Sequence, residues 1–562
     1  MSRPHREPHL ALLAAASLVS CVGSPDFAGS NDSVVTSTGK SSSNVSSTTT
    51  GGGSGGDGGA SAEPDPVGDD TLVNPSFEAG LDGWRVRADA GGVFVESLDA
   101  YRGERHLASR TTEAYAVEVT QDLVLRPDAR YTLRGWFKSS VVAGASYLFL
   151  RTTESETRVA VPSGLSSSLR LTLAGLKPAS TEVTLGVHLE GPADSWVKVD
   201  ALELLNGSPE WDDAFLLGGD LSFRRQLDDL GVEFVDRAGN PTEVLEVLSD
   251  SGFNLARFRL HNDPGSPDHY PSNQFPPGYQ NLDDTLANAE RCSEFGLELL
   301  VSFHYSDYWT NPGQQYKPYR WEELDVTELE AAVYEYTKGT LEAFRDQGTP
   351  PHLVSLGNET NAGILWPEGQ IAAGGANFDG FARLFMAGAR AVREVAPETL
   401  IAVHLSEPGS ALYEWLGWAE QAALDYDVVG VSLYPFWSNL RVDEMRKVVE
   451  RSIELTGKQV IVVETGFPWS LERPSGFPTM IASNDLEPQG LETFGVSPRG
   501  QELFLRSLFQ QLHEIDGVIG VSYWDPIWLD TPALPSNVPD TALFDWDGAP
   551  LRALDAFHEK YR

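Results

Sequence analysis

The chain has 562 residues, 41 % of them hydrophobic and 10 % aromatic, including 14 tryptophans; this is too long for one ordinary domain and ample for a buried core. The 81 acidic and 41 basic residues give a formal net charge of −40, a field that argues against nucleic acid and anionic lipid surfaces as partners. The two cysteines, Cys21 and Cys292, exclude a disulfide framework, and no Cys/His cluster has zinc-ligand spacing.

Residues 1–20 read as a signal segment: Arg3, His5 and Arg6 precede LALLAAASLV, a run too short to span a bilayer permanently. It ends Leu18-Val19-Ser20-Cys21, which resembles a bacterial lipobox. That resemblance implies cleavage before Cys21, acylation of its thiol, and an exported protein held to a membrane. Val22 stands where an Asp would favour inner-membrane retention, which points to the outer membrane or cell surface. No later stretch is apolar enough to cross a membrane, so membrane contact is expected only through the anchor. Residues 21–70 are dominated by Ser, Thr and Gly and cannot bury enough apolar surface to offset their ordering entropy; they read as a flexible tether.

Residues 71–206 change to short alternating segments such as YAVEVTQDLVL, RYTLRGWFKSS and TEVTLGVHLE, separated by Gly, Pro, Asp and Ser. This pattern predicts an all-β sandwich. The opening LVNPSFEAGLDGW and closing DSWVKVDALEL resemble the galactose-binding-like jelly rolls of carbohydrate-binding modules. The resemblance implies a structural calcium held by Glu78 and Asp200. Trp84, Trp136 and Trp196 are candidates for a sugar platform or for core, and the alternation around Trp136 favours core.

Residues 210–562 alternate strand and helix signals, with eight strand candidates from AFLLGGDLS to VIGVSYWDP. Asp325 and Glu328 form a capping box ahead of a helix whose Leu329, Val333, Tyr336 and Phe344 share one face. Cys292 reads as a buried thiol. Eight strand–helix alternations predict an α/β fold, a (β/α)8 barrel preceded by the jelly-roll sandwich.

Barrel active sites lie at the C-terminal strand ends. The fourth strand ends Gly357-Asn358-Glu359 and the seventh Val463-Glu464-Thr465. The second carries Arg257, the third ends His304-Tyr305-Ser306-Asp307, the sixth Tyr434-Pro435 and the eighth Trp524-Asp525. Glycosidic cleavage needs one carboxylic acid to protonate the departing oxygen and a second carboxylate to trap the oxocarbenium-like carbon. Acids ending strands four and seven face each other at about 5 Å, the separation that retains anomeric configuration. Glu359 is then the acid/base and Glu464 the nucleophile. Asn358 is placed to donate to the sugar 2-hydroxyl, Arg257 to keep Glu464 ionised, Tyr434 to orient it and Trp524 to floor the cleaved sugar.

With these residues in place, the chain resembles the endo-β-1,4-galactanases of glycoside hydrolase family 53 from Phe215 to Phe557. The segments that carry the resemblance include FHYSDYWTNPGQQYKP, VSLGNETNAGILWPEG, VVGVSLYPFW, VIVVETGFPW and GVSYWDPIWL. It implies endo-hydrolysis of β-1,4-galactan in type I arabinogalactan and pectin by a monomer that needs no cofactor for catalysis. It also implies that His304 and Asp307 line the site; Trp366 and Trp309 are candidates for more distant subsites or for loop packing. The loop SLERPSGFPTMIASNDLEPQGLETFG lacks the Asp/Asn/His cluster that holds calcium in many bacterial members, and Thr360 replaces the usual apolar residue. Two alternatives keep most of these features: another β-glycanase of the same clan (a mannanase or endoglucanase), or a non-catalytic polysaccharide-binding surface lipoprotein.

Overall fold

The computed structural model describes residues 72–558, apart from 91, 128, 141–144, 166, 208–213, 265–277, 407, 473–480 and 482–493. Cys21, the tether and most of the loop after the seventh barrel strand lie outside the described residues. No helix among the described residues is long and apolar enough to cross a membrane.

The alternating segments form ten strands: β1 (Arg85–Ala90), β2 (Val93–Glu96), β3 (His106–Arg110), β4 (Tyr115–Val124), β5 (Tyr131–Ser139), β6 (Tyr147–Arg151), β7 (Glu156–Ala160), β8 (Leu169–Leu176), β9 (Glu182–Gly191) and β10 (Trp196–Asn206). They pair antiparallel into two five-stranded sheets, ordered β1-β4-β9-β6-β7 and β2-β3-β10-β5-β8. Period-two side chains, such as Val117 and Val119 on β4 with Leu185, Val187 and Leu189 on β9, fill the space between the sheets. Trp84 and Trp136 are only 7 % and 3 % exposed, and Trp136 stacks on Tyr101 at 3.9 Å. Both are core, leaving Trp196 alone of the three partly open, with the Lys198 ammonium 5.7 Å from its ring.

The remaining strands are β11 (Leu216–Asp220), β12 (Leu255–Leu260), β13 (Glu298–Phe303), β14 (Leu353–Leu356), a small hairpin β15 (Gly363–Ile364) and β16 (Gly369–Gln370), then β17 (Leu400–Leu405), β18 (Val428–Ser432), β19 (Gln459–Glu464) and β20 (Val518–Tyr523). Without the hairpin, the eight close into a parallel barrel as β11 pairs with both β12 and β20. Two glycines permit that seam: a Cβ on Gly218 would lie 1.8 Å from the Leu255 carbonyl oxygen, and one on Gly520 2.2 Å from that of Leu216. Leu216, Leu255, Leu300, Leu353, Val428 and Ile461 make a packed layer inside the barrel, so the interior is no pore. Helix α1 (Val326–Gln347) starts with the predicted capping box and buries Leu329, Val333 and Phe344 against the outer strand faces. Cys292 is buried, which pushes its thiol up to about 12.

The sandwich docks on two barrel helices, α2 (Val442–Thr456) and α3 (Pro498–His513). Edge strand β8 and the turn before it are met by side chains in place of another strand. The Arg170 N–H donates to Gln510 Oε1 at 2.9 Å, the Ser168 N–H to Asp443 at 3.0 Å, and the Ser168 carbonyl accepts from Ser507 and Gln511. Lys138 bridges Asp99 at 2.9 Å and Asp443 at 2.5 Å, while Arg170 and Tyr101 reach Glu514 at 3.0 and 2.7 Å.

Candidate active site

Two local features aim the fourth-strand acid across the barrel mouth. Gly357 has φ +104°, and a Cβ there would sit 2.4 Å from Thr360 Cγ2; Glu359 itself is left-handed at φ 49°. Such backbone costs about 1–3 kcal/mol and persists only where neighbours hold it. Here Gln315 donates to the carbonyls of Asn358 at 2.7 Å and Glu359 at 3.3 Å. Glu464 ends β19 directly opposite. One carboxylate oxygen of each glutamate and one ring nitrogen of His404 all lie within 4.8 Å of one another. Glu359 is half-buried and Glu464 buried.

Arg257 organises the floor. Its Nη2 lies 2.8 Å from Glu464 Oε1 and 3.0 Å from Asn358 Oδ1, and its Nη1 lies 2.7 Å from Asp220. Tyr434 donates to Glu464 Oε2 at 3.0 Å. Burial raises the Glu464 carboxyl above its ordinary value, while Arg257 and then the Tyr434 hydroxyl pull it down. The Asn358 amide gives one hydrogen to the Thr310 carbonyl at 2.8 Å, which leaves its second for a substrate hydroxyl. Thr310 N–H and hydroxyl both meet His304 Nδ1, which as the acceptor leaves the ring proton on Nε2. Burial and then His261 and Arg257 hold His304 well below the ordinary imidazole range, so it is neutral.

The walls are aromatic. Trp524 and Trp309 stand 5.6 Å apart, and the Arg259 guanidinium lies 4.7 and 4.3 Å from their rings. Trp366 is half-buried; its indole N–H donates to the Ala362 carbonyl, and Tyr316, 51 % exposed, packs edge-on at 5.7 Å. Asp307 lies buried in the loop after β13. Its two oxygens accept the backbone N–H groups of Asp263 and Tyr319 at 2.8 and 2.9 Å, pinning the loops after β12 and β13.

Three residues that sequence reasoning missed, Arg259, Asp220 and His404, belong to this centre together with Asp525, seen at a strand end but given no role. Arg259 makes a two-pronged pair with Asp525 and also reaches Asp220 at 3.3 Å, so two guanidiniums and two aspartates lie buried under Glu464. The signal for Arg259 was its i+2 spacing from Arg257, which puts both on the inner barrel face. His404 carried no such signal.

In the sandwich, Glu78 Oε1 accepts the N–H groups of Glu104 and Arg105, and Asp200 accepts those of Tyr101, Arg102 and Ala201. Burial, with Glu78 nearby, pushes the Asp200 carboxyl up to about 6.

A closed parallel barrel whose fourth and seventh strands present facing glutamates, one backed by a guanidinium and one half-open to solvent, is the apparatus of a two-carboxylate glycoside hydrolase. The chain belongs to glycosyl hydrolase family 53, whose profile matches residues 216–557. It is 32 % identical over 323 residues to the arabinogalactan endo-β-1,4-galactanase of Cellvibrio japonicus, covering 56 % of this chain and 81 % of that protein. With the endo-β-1,4-galactanase of Bacillus subtilis it shares 29 % identity over 385 residues, 61 % of this chain and 85 % of the relative. Among solved structures, the family 53 catalytic domain from Ignisphaera aggregans superposes with a TM-score of 0.58 at 30 % identity, over 63 % of this chain and 98 % of that one.

Proposed function

We propose that this chain hydrolyses internal β-1,4-galactosidic bonds of type I arabinogalactan and pectic galactan with retention, Glu359 acting as acid/base and Glu464 as nucleophile. The observation that carries the roles is the approach of the two carboxylates within 4.8 Å, with Arg257 paired to Glu464. The galactanase relatives supply the substrate. Glu464 attacks the anomeric carbon while Glu359 gives its proton to the leaving oxygen; Glu359 then takes a proton from water, which displaces Glu464 from the galactosyl ester. Reducing-sugar release from β-1,4-galactan, set against mannan and cellulose, tests the substrate. NMR of the first-released product should show the β-anomer, and an initial α-anomer would refute the nucleophile. Glu359→Ala and Glu464→Ala should each abolish cleavage; a wild type that binds galactan without cutting it would make the chain a surface binder.

The same proposal places the protein outside the cell, lipidated at Cys21, with the tether letting a monomeric enzyme reach a large substrate and the sandwich adding galactan affinity. The support is sequence alone for the anchor and the jelly-roll resemblance for the sandwich. Affinity electrophoresis of full-length Glu464→Ala on galactan, with and without a Trp196→Ala change, tests the second; mass spectrometry of the mature N-terminus tests the first. Calcium fits the Glu78–Asp200 pair, because Asp200 is buried, Glu78 raises it further, and neither carboxylate pairs with a basic side chain among the described residues.

A further inference from the structure

His404, on β17, is fully buried beside the two carboxylates, and nothing in the reaction outlined above uses it. Its Nε2 lies 2.8 Å from Ser432 Oγ, and Ser432 Oγ lies 3.5 Å from Glu464 Oε2. We propose that His404 is a positioning residue for the nucleophile: its Nε2–H donates to Ser432, which turns the serine proton onto Glu464 Oε2. This rests on Glu464 being the nucleophile.

The backbone is built for this chain of contacts. β17 and β18 pair with His404 opposite Gly430, so the imidazole crosses a strand position without a side chain and meets Ser432, two residues on and on the same face. A bulge then interrupts the next pairing. Val431 faces Val462, but Ser432 faces Glu464, skipping Val463. In regular register Ser432 would stand beside Val463, whose side chain packs with the apolar layer inside the barrel. The skipped residue brings the hydroxyl and the carboxylate together, a use of bulges that recurs beside active sites.

The tautomer follows from which groups would be stranded. Burial and then Arg257 hold the imidazole well below its ordinary range, so His404 is neutral and carries one N–H. With the proton on Nδ1, Ser432 would have to donate to Nε2 and desert the carboxylate. The Nδ1–H would also be buried with no acceptor, since that atom has no hydrogen-bond partner. With the proton on Nε2, both donors are used and the chain ends on a charge; a stranded lone pair costs less than a stranded N–H. Oε2 then receives Tyr434 and Ser432 while Oε1 faces Arg257, which stops the carboxylate from turning about its own axis. The remaining charged or titratable groups around it are Asp220, Arg259, His304, Glu359 and Asp525.

The test is steady-state kinetics on linear β-1,4-galactan with Ser432→Ala, His404→Ala, His404→Gln and the double alanine variant, with melting curves for each. Each single alanine should lower kcat about tenfold, with KM within about twofold, and move the acidic limb of kcat/KM to higher pH. Because the two act in series, the double variant should fall no more than about threefold below the weaker single. His404→Gln, which keeps an N–H donor at similar reach, should recover most of kcat. The proposal is overturned if His404→Ala is impaired while Ser432→Ala is not, if the two losses multiply, or if melting falls with the acidic limb unmoved. Should the histidine variants fail to fold, Ser432→Ala alone, the loss of one oxygen, decides through its pH limb. Wild-type protein that cuts no galactan, or a Glu464→Ala variant as active as wild type, would instead defeat the underlying nucleophile assignment.

Discussion

Arg257 meets Glu464 at 2.8 Å with both side chains out of solvent, the guanidinium wholly and the carboxylate to within 5 %. Breaking a buried pair by removing one partner strands the other charge, at about 3–5 kcal/mol. Arg257→Met should therefore lower kcat by at least about a hundredfold and shift the acidic limb upward. The folded Glu464 carboxyl already lies above its unfolded value, so its contribution to stability is present at low pH and lost as pH rises through the folded value. Loss of Arg257 raises that value further. The melting deficit of the variant relative to wild type should consequently grow with pH, which thermal denaturation across pH 4–8 checks.

The Arg259 guanidinium lies 4.3 Å from the Trp309 ring and 4.7 Å from those of Trp524 and Phe223. Trp309→Ala removes one ring from the cation and, on the proposed function, one ring face from the sugar site, so kcat/KM on galactan should drop about tenfold. Trp309→Phe should keep most of it. Equal losses for both variants in galactan kinetics would mean the indole is needed for something other than its face.

Asp200 offers a pH-dependent readout of calcium. Without metal, its folded value near 6 lies above the usual aspartate value of 3.8, so the protonated form contributes stability below about pH 4 and that contribution is lost as pH rises through 6. A cation would compensate for what is lost. The difference in melting temperature between calcium-loaded and chelated protein should be near zero at pH 4 and open above pH 6. A difference independent of pH, or none at pH 7, would remove Asp200 as a ligand.

Lys138 sits between Asp99 and Asp443, only 6 % exposed. Lys138→Met would leave two carboxylates facing each other across the dock, at about 2–3 kcal/mol once the partial exposure of Asp99 is allowed for. Calorimetry should show one unfolding transition for wild-type sandwich and barrel, and two for the variant.

Much of the barrel is legible in the sequence because strand alternation and the residues closing each strand are local features. Glu359, Glu464, Arg257 and Tyr434 could be placed from them. Asp220 could not, and Asp525, placed at the end of the eighth strand, carried no role, because their meaning comes from the seam that sets β11 beside β20, a contact between the two ends of the barrel. Ser432 likewise depends on a bulge that shifts the register by one residue, and nothing in VVGVSLYP announces it. Asp307 illustrates a role that its motif does not announce. Its motif marks the site, but its oxygens serve the backbone of neighbouring loops. The tryptophans of the sandwich were ambiguous for a similar reason: ring chemistry suits sugar and core equally, and only burial separates them.

Gln510 does for β8 what a neighbouring strand would do, Gln511 holds the turn before it, and both belong to the barrel. Truncation between Asn206 and Phe215 that removes the barrel would therefore open a raw sheet edge and wet the charges of Lys138 and Arg170, inviting fragments to clump strand to strand. Recombination that swapped one catalytic barrel for another beneath this sandwich would have to carry α2 and α3 along with it.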